Sequence, residues 1–177
     1  MHNYIREFSA LPHQEFHLAG GKGATLACLF QDGYPVPEGF IILPTAFQDE
    51  DLLPQAWEEI RDQTQAIRKI TSPNTLFAVR SSAWSEDSAQ TSFAGEFESV
   101  LNVHSENELR EAVLDVRKSR LSERVRAYSQ AQGVSTDHEM AVIIQHQVAP
   151  DYSGVLFTAD PLTGDRTRLV GNYVHGL

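Results

Sequence analysis

Phe77-Ala78-Val79-Arg80-Ser81-Ser82 is a run that changes character along its length. Read as a strand from Leu76 to Ser82, it puts Phe77 and Val79 on one face and Ala78 and Arg80 on the other, since successive strand side chains alternate. A second strand, Phe97 to Val103, runs back beside it. Ser105 and Glu108 then form a capping box, opening a helix whose face carries Leu109, Val113, Val116, Leu121, Val125 and Tyr128 to a stop near Gly133. Apolar strands at Met140–Gln145 and Gly154–Thr158 follow, then a turn at Asp160–Asp165 and a strand from Arg168 to Tyr173. Strand, loop, strand, long helix, strand, turn, strand is an α+β order, without the regular alternation of a doubly wound sheet. The two strands flanking the long helix are expected to lie side by side.

Upstream, Gly23 to about Gln31 has helical spacing, with Leu26, Leu29 and Phe30 on one face and Gly33 as its stop. Pro35-Val36-Pro37-Glu38-Gly39 is a rigid turn into the buried strand Phe40–Leu43, which Pro44 ends. After an acidic stretch at Gln48–Asp51, a helix runs from about Pro54 to Ile70 with Trp57, Ile60, Thr64 and Ile67 on its buried face. Ser72-Pro73-Asn74 breaks it.

The 177 residues carry a net charge of −10, which disfavours a nucleic-acid or anionic-membrane surface. No stretch approaches the roughly 18 apolar residues of a membrane span, and the first twenty residues lack the apolar block of a signal peptide. Cys28 is the one cysteine, so no internal disulfide forms and a reducing, cytoplasmic setting is expected. Its apolar neighbours predict a buried thiol rather than a nucleophile.

Four places could carry chemistry. Lys22 sits among Gly20, Gly21 and Gly23 at what reads as a helix start. The macrodipole disfavours an exposed cation there by up to about 1 kcal/mol. Uncovered glycine amides and an ammonium group at a helix N-terminus make an anion seat; the alternative is a flexible turn with a solvated lysine. The spacing of the usual phosphate loop is absent. Arg80 presents a fork suited to phosphate oxygens, or an ion pair with Glu86 or Asp87. The polar loop from Ala83 to Glu96 ends in Ser92-Phe93-Ala94-Gly95, where small residues let backbone approach a phosphate; otherwise it is an ordinary surface loop. Ser99 adds a hydroxyl. Gln145 and Gln147 close an apolar strand with groups that can bond an adenine edge or simply emerge into solvent. Seven histidines show no metal-ligand spacing, and Asp160 and Asp165 read as turn formers before metal ligands. Together these places point to a bound nucleoside triphosphate.

Gly20-Gly21-Lys22-Gly23-Ala24, Pro35 to Phe40, Ala78-Val79-Arg80-Ser81-Ser82-Ala83, Ser92 to Gly95, Met140 to Gln145 and Ser153 to Gly164 closely resemble the N-terminal ATP-binding domain of phosphoenolpyruvate synthase, pyruvate phosphate dikinase and rifampin phosphotransferase. The resemblance spans nearly the whole chain. It implies an ATP-grasp fold, with residues 1–177 forming part of it: about 1–139 as the first lobe, 140–177 as the hinge and the opening strands of the second. It also implies that Lys22 and Arg80 contact ATP phosphates, that Ser92–Glu96 with Gly95 loops over them, that Ser99 stands in for a threonine, and that Gln145 faces adenine.

The family pattern departs in two places. The segment between Pro44 and Phe77 is short. The glutamate and glutamine that hold Mg²⁺ in the family, its phosphorylatable histidine and its phosphoenolpyruvate-binding barrel find no match here. The chain is therefore expected to be a fragment or split product that works with the remaining domains of a parent enzyme or a partner chain. Alone it would bind ATP weakly at best and not turn over. Two further readings fit the same residues: a non-catalytic nucleotide-binding or regulatory module that acts with a partner chain, and a structural remnant. Leu169, Val170, Tyr173 and Val174 would leave an association-prone sheet edge.

Overall fold

The computed structural model describes residues 4–83, 98–122 and 139–176, which divide into two units, 1–147 and 148–177. In chain order the first unit holds β1 (Ile5–Glu7), α1 (Phe16–Gln31), β2 (Gly39–Ile42), β3 (Phe47–Gln48), β4 (Asp51–Leu52), α2 (Pro54–Ile70), β5 (Phe77–Ala83), β6 (Ser99–Val103), α3 (Glu106–Ser119) and β7 (Met140–His146). Helices and antiparallel sheet are mixed without regular alternation, so the class is α+β.

Five strands form one antiparallel sheet in the order β1-β2-β7-β5-β6. This corrects one expectation. The strands flanking α3, β6 and β7, are not neighbours, because β5 lies between them and pairs with both. β5 is the strand able to fill that position: Phe77 to Val79 and Ser81 to Ala83 are buried, so both its faces are covered. β7, read from sequence as the beginning of a hinge, pairs with β2 and β5 inside the first unit.

Alternation along these strands makes two cores. Phe40, Ile42, Phe77, Val79, Val142 and Ile144 face α2 and α3, meeting Ile60, Ile67, Leu109, Val113 and Val116. Ile41, Leu43, Ala141 and Ile143 face α1, meeting Ala19, Ala27 and the buried Phe8 and Leu11. α2 runs over the predicted residues, with Leu53 at its N-cap and Pro54 at N1, where the missing N–H costs nothing.

α3 ends at Ser119, well before the predicted stop. Its last turn tightens, with Leu121 donating to the Lys118 carbonyl and Ser122 to that of Ser119. Val125, Tyr128 and Gly133 lie outside the described residues. Arg117 and Arg120 at this end both reach Glu50, at the tip of the β3–β4 hairpin, and Arg117 stacks 4.9 Å from the Phe47 ring centroid. The acidic stretch of the sequence is thus a tight hairpin turn, with Asp49 and Glu50 both at positive φ. Cys28 is only partly buried, not a core thiol.

The second unit is a hairpin of β8 (Tyr152–Phe157) and β9 (Val170–His175), in register from Tyr152 opposite His175 to Phe157 opposite Val170. Asp160 accepts from the Leu162 and Thr163 amides, and Asp165 from the Thr167 hydroxyl and amide. These bonds hold both carboxyls below the ordinary aspartate value and identify them as turn formers.

The predicted capping box is present. Ser105 Oγ accepts from the Glu108 amide, and Glu108 accepts from the Ser105 and His104 amides. Those two amides hold the Glu108 carboxyl below the ordinary glutamate value. A depressed folded value means that this stabilisation is complete above the unfolded value and is lost as pH falls through the lowered one. Urea unfolding of Ser105→Ala is expected to show a loss of about 1 kcal/mol at neutral pH. The stability difference between the chain and Glu108→Gln should shrink on acidification through the carboxylate range; a difference constant with pH would remove the assigned role.

Candidate functional site

The Gly20–Gly23 segment explains the local shape of α1. The sequence predicts a helix from Gly23, but the helix starts at Phe16 and is broken at Gly20, where φ is 70° and ψ is 170°. Only glycine takes that backbone at ease. It also has no room for a side chain, since a Cβ on Gly20 would lie 2.3 Å from the Ser82 carbonyl oxygen. In an unbroken helix the Gly23 N–H would donate to the Ala19 carbonyl, four residues back. Here the Ser82 hydroxyl stands between them, accepting from Gly23 at 2.8 Å and donating to Ala19 at 2.7 Å. A side chain inserted into the helical ladder is a recognised cause of a kink. The Gly23 amide, expected to be uncovered, is therefore occupied.

Lys22 follows the break, half-buried, and its Nζ donates to the Ser81 carbonyl at 3.1 Å. Arg80 is the residue before Ser81 on β5, also half-buried. Residues directly opposite in an antiparallel pair share a face. Arg80 is opposite both Ile143 and Ser99, Ala78 opposite Gln145, and Ser82 opposite Ala141. Ile143 and Ala141 pack towards α1. Arg80, Ser99, Gln145 and Ser82 therefore lie on the sheet face that α1 covers, and Lys22 reaches the same strand end from α1.

Gln145 is buried, and its Nε2 donates to the Pro37 carbonyl at 3.1 Å, on the turn before β2. Gln147 is committed elsewhere: it accepts from the Asn102 amide at 2.7 Å and donates to the Asn102 side chain at 2.9 Å. It holds Asn102 at a φ of 61° and offers little to a ligand. Ser99 is exposed. Ser92, Gly95, the rest of the Ser92–Glu96 segment and the possible Arg80 partners Glu86 and Asp87 lie outside the described residues. Among the described residues, no three His, Cys, Asp or Glu side chains gather to hold a metal ion, and no helix is long and apolar enough to cross a membrane.

Sequence reasoning put the Ser81 and Ser82 hydroxyls in the segment that holds the nucleotide but gave neither a role of its own. The signal was available in part: Ser82 has the same strand parity as Arg80, and a serine at a strand end beside a double glycine can approach backbone closely. That its partners would be Ala19 and Gly23 depends on pairing over some sixty residues, which no local pattern encodes.

A family model described as the pyruvate phosphate dikinase AMP/ATP-binding domain matches residues 43–177. Arg80, Ser99 and Gln145 fall inside that stretch and Lys22 precedes it. The uncharacterized phosphotransferase YvkC of Bacillus subtilis is 33% identical over 178 residues, covering 90% of this chain and 21% of its own length. A rifampicin phosphotransferase of a Streptomyces species is 34% identical over 186 residues, covering 83% of this chain and 21% of its own. The phosphoenolpyruvate synthase of Aeropyrum pernix is 31% identical over 204 residues, covering 90% and 25%. The chain thus spans between about a fifth and a quarter of these relatives' length.

Two left-handed glycines separate the effect of crowding from that of backbone strain. Gly33 has a φ of 81° with nothing within 4 Å of an added Cβ, whereas Gly20 meets the Ser82 backbone. Gly33→Ala is expected to cost about 1–2 kcal/mol, and Gly20→Ala about 3 kcal/mol or more. Urea denaturation measures both; equal costs would mean that Gly20 and Ser82 are not in close contact.

Proposed function

The chain belongs to the family of the pyruvate phosphate dikinase AMP/ATP-binding domain, and from that premise we propose that it is the ATP-holding part of a dikinase-type phosphotransferase. In this reading residues 1–139 and 140–177 are the first lobe and the hinge with the start of the second lobe of an ATP-grasp fold. Lys22 and Arg80 bind ATP phosphates. Ser92, Gly95 and Ser99 serve the same phosphates from the loop and from β6, and Gln145 lies towards the adenine.

One observation carries the reading. Lys22, Arg80, Ser99 and Gln145 come from four separate elements and collect on one sheet face. A cation pair delivered by a glycine-rich helix turn and a strand end suits a polyphosphate, since guanidinium and ammonium groups bond its oxygens with charge-assisted hydrogen bonds. The acidic balance of the whole chain does not oppose this, because the local cations set the field at the site.

The longer protein splits ATP and passes a phosphoryl group to a histidine and then to a small acceptor such as pyruvate. Relatives named for phosphoenolpyruvate synthesis and for rifampicin phosphorylation share this type of domain, so the acceptor is chosen by other parts of the protein. Phosphoryl transfer depends on positioning and on charge neutralisation by metal and cations. With Mg²⁺ ligands and the accepting histidine supplied from outside these 177 residues, the chain alone binds ATP weakly and does not turn over. Its setting is the cytoplasm, in keeping with the unpaired Cys28.

A titration with ATP to millimolar concentration, followed by amide resonances, is expected to perturb Gly20–Gly23 and Arg80–Ser82. Lys22→Ala and Arg80→Ala should each weaken the response about tenfold, the effect of losing one charge-assisted contact of roughly 1.5 kcal/mol. Lys69→Ala, on α2 behind the opposite sheet face, should leave it unchanged. No perturbation at these residues, or AMP formation by the chain alone, would contradict the reading.

A further inference from the structure

We propose that Ser82 is a positioning residue of this site: its hydroxyl holds the broken turn of α1 against the end of β5 and thereby sets Lys22 beside Arg80 for a phosphate group. The inference rests on the ATP-binding reading for its ligand, but its geometry stands independently. Ser82 is fully buried, and its Oγ makes one bond as donor and one as acceptor to the two sides of the Gly20 break. A hydroxyl has one proton to give and lone pairs to receive, so it replaces the missing helical bond atom for atom. Neither alanine nor an apolar residue can do so.

The consequence reaches Lys22 through the chain. Lys22 lies between Gly21 and Gly23, and Gly23 is the residue that Ser82 Oγ anchors. The ammonium group is received by the carbonyl of Ser81, the residue that joins Ser82 to Arg80. Backbone anchor, ammonium acceptor and guanidinium are thus three consecutive residues of one strand. Without the hydroxyl, the Ala19 carbonyl and Gly23 amide lose a buried partner, and the turn is driven to reclose as ordinary helix. Reclosure needs Gly20 to leave its present backbone, which turns Lys22 about the helix axis and away from the end of β5. The role is indirect, for the hydroxyl is spent on the turn, donating to Ala19 and accepting from Gly23.

The test has an arm without nucleotide and an arm with it. In the ligand-free chain, Gly23 amide exchange is expected to accelerate at least about tenfold in Ser82→Ala, while Val79 and Ile143 amides at the sheet centre keep their protection. The Lys22 Nζ resonance should shift towards that of a solvated lysine. Ser82→Thr, which retains the hydroxyl, should restore both signals. With ATP, Ser82→Ala should weaken the response about tenfold in the native background and not at all in Lys22→Ala, since residues acting through one another are non-additive.

Unchanged Gly23 exchange and Lys22 resonance in Ser82→Ala would overturn the positioning role. So would an ATP effect of equal size with and without Lys22, which marks a general loss of structure. If the unaltered chain gives no response to ATP, the nucleotide reading fails, and the ligand-free arm still decides whether Ser82 sets Lys22.

Discussion

Where the backbone of Gly20 meets the backbone of Ser82, two elements far apart in sequence come closer than any side chain allows. That approach requires glycine on one side and a small hydrogen-bonding residue on the other. It breaks α1 and turns what would be an exposed helix terminus into the middle of a helix. It also delivers Lys22 to β5. A larger residue at Gly20 would push α1 off the sheet, and with it Ala19 and Ala27, which close the smaller of the two cores. The polar contact and the apolar packing therefore depend on the same closeness.

β5 is the element through which the remaining structure acts on this contact. Phe77 and Val79 anchor it in the larger core with α2 and α3, and β6 and β7 hold its two edges. Residues of the other parity, Ala78, Arg80 and Ser82, are then fixed in height and direction. The brace of Arg117 and Arg120 on Glu50 works one layer away, tying the end of α3 to the β3–β4 hairpin. Arg117 also donates to the Met140 carbonyl, at the start of β7. The position of α3 is thereby linked to the strand that pairs with β5.

Much of this was legible in the sequence where the determinants are local. α2 was recoverable because Ile60, Thr64 and Ile67 repeat at helical spacing and Pro54 marks its start; the α3 start was recoverable because Ser105 and Glu108 cap themselves. The first turn of α1 was not, since Phe16 to Ala19 precede two glycines that read as a break, and the helix there is held by packing of Phe16, Leu18 and Ala19 in the cluster that holds Phe8 and Leu11. Strand order escaped for a related reason: placing β5 between β6 and β7 is decided by which strand buries both faces. At the site, the residue types were legible and their partners were not. Gln145 and Gln147 look alike in sequence, yet one bonds the Pro37 carbonyl and the other is consumed by Asn102.

The arrangement of Arg80, Ser81 and Ser82 suits what the proposed polyphosphate site would require. Positioning dominates phosphoryl transfer, and an error of an ångström in a binding group costs much of its effect. Cations carried on separate loops would drift independently. Here the strand that carries the guanidinium also supplies the carbonyl that receives the ammonium and the hydroxyl that anchors the ammonium's backbone. A shift of β5 then moves all three together. The proposed site is as rigid as the strand, and the strand is as rigid as the core on its opposite face.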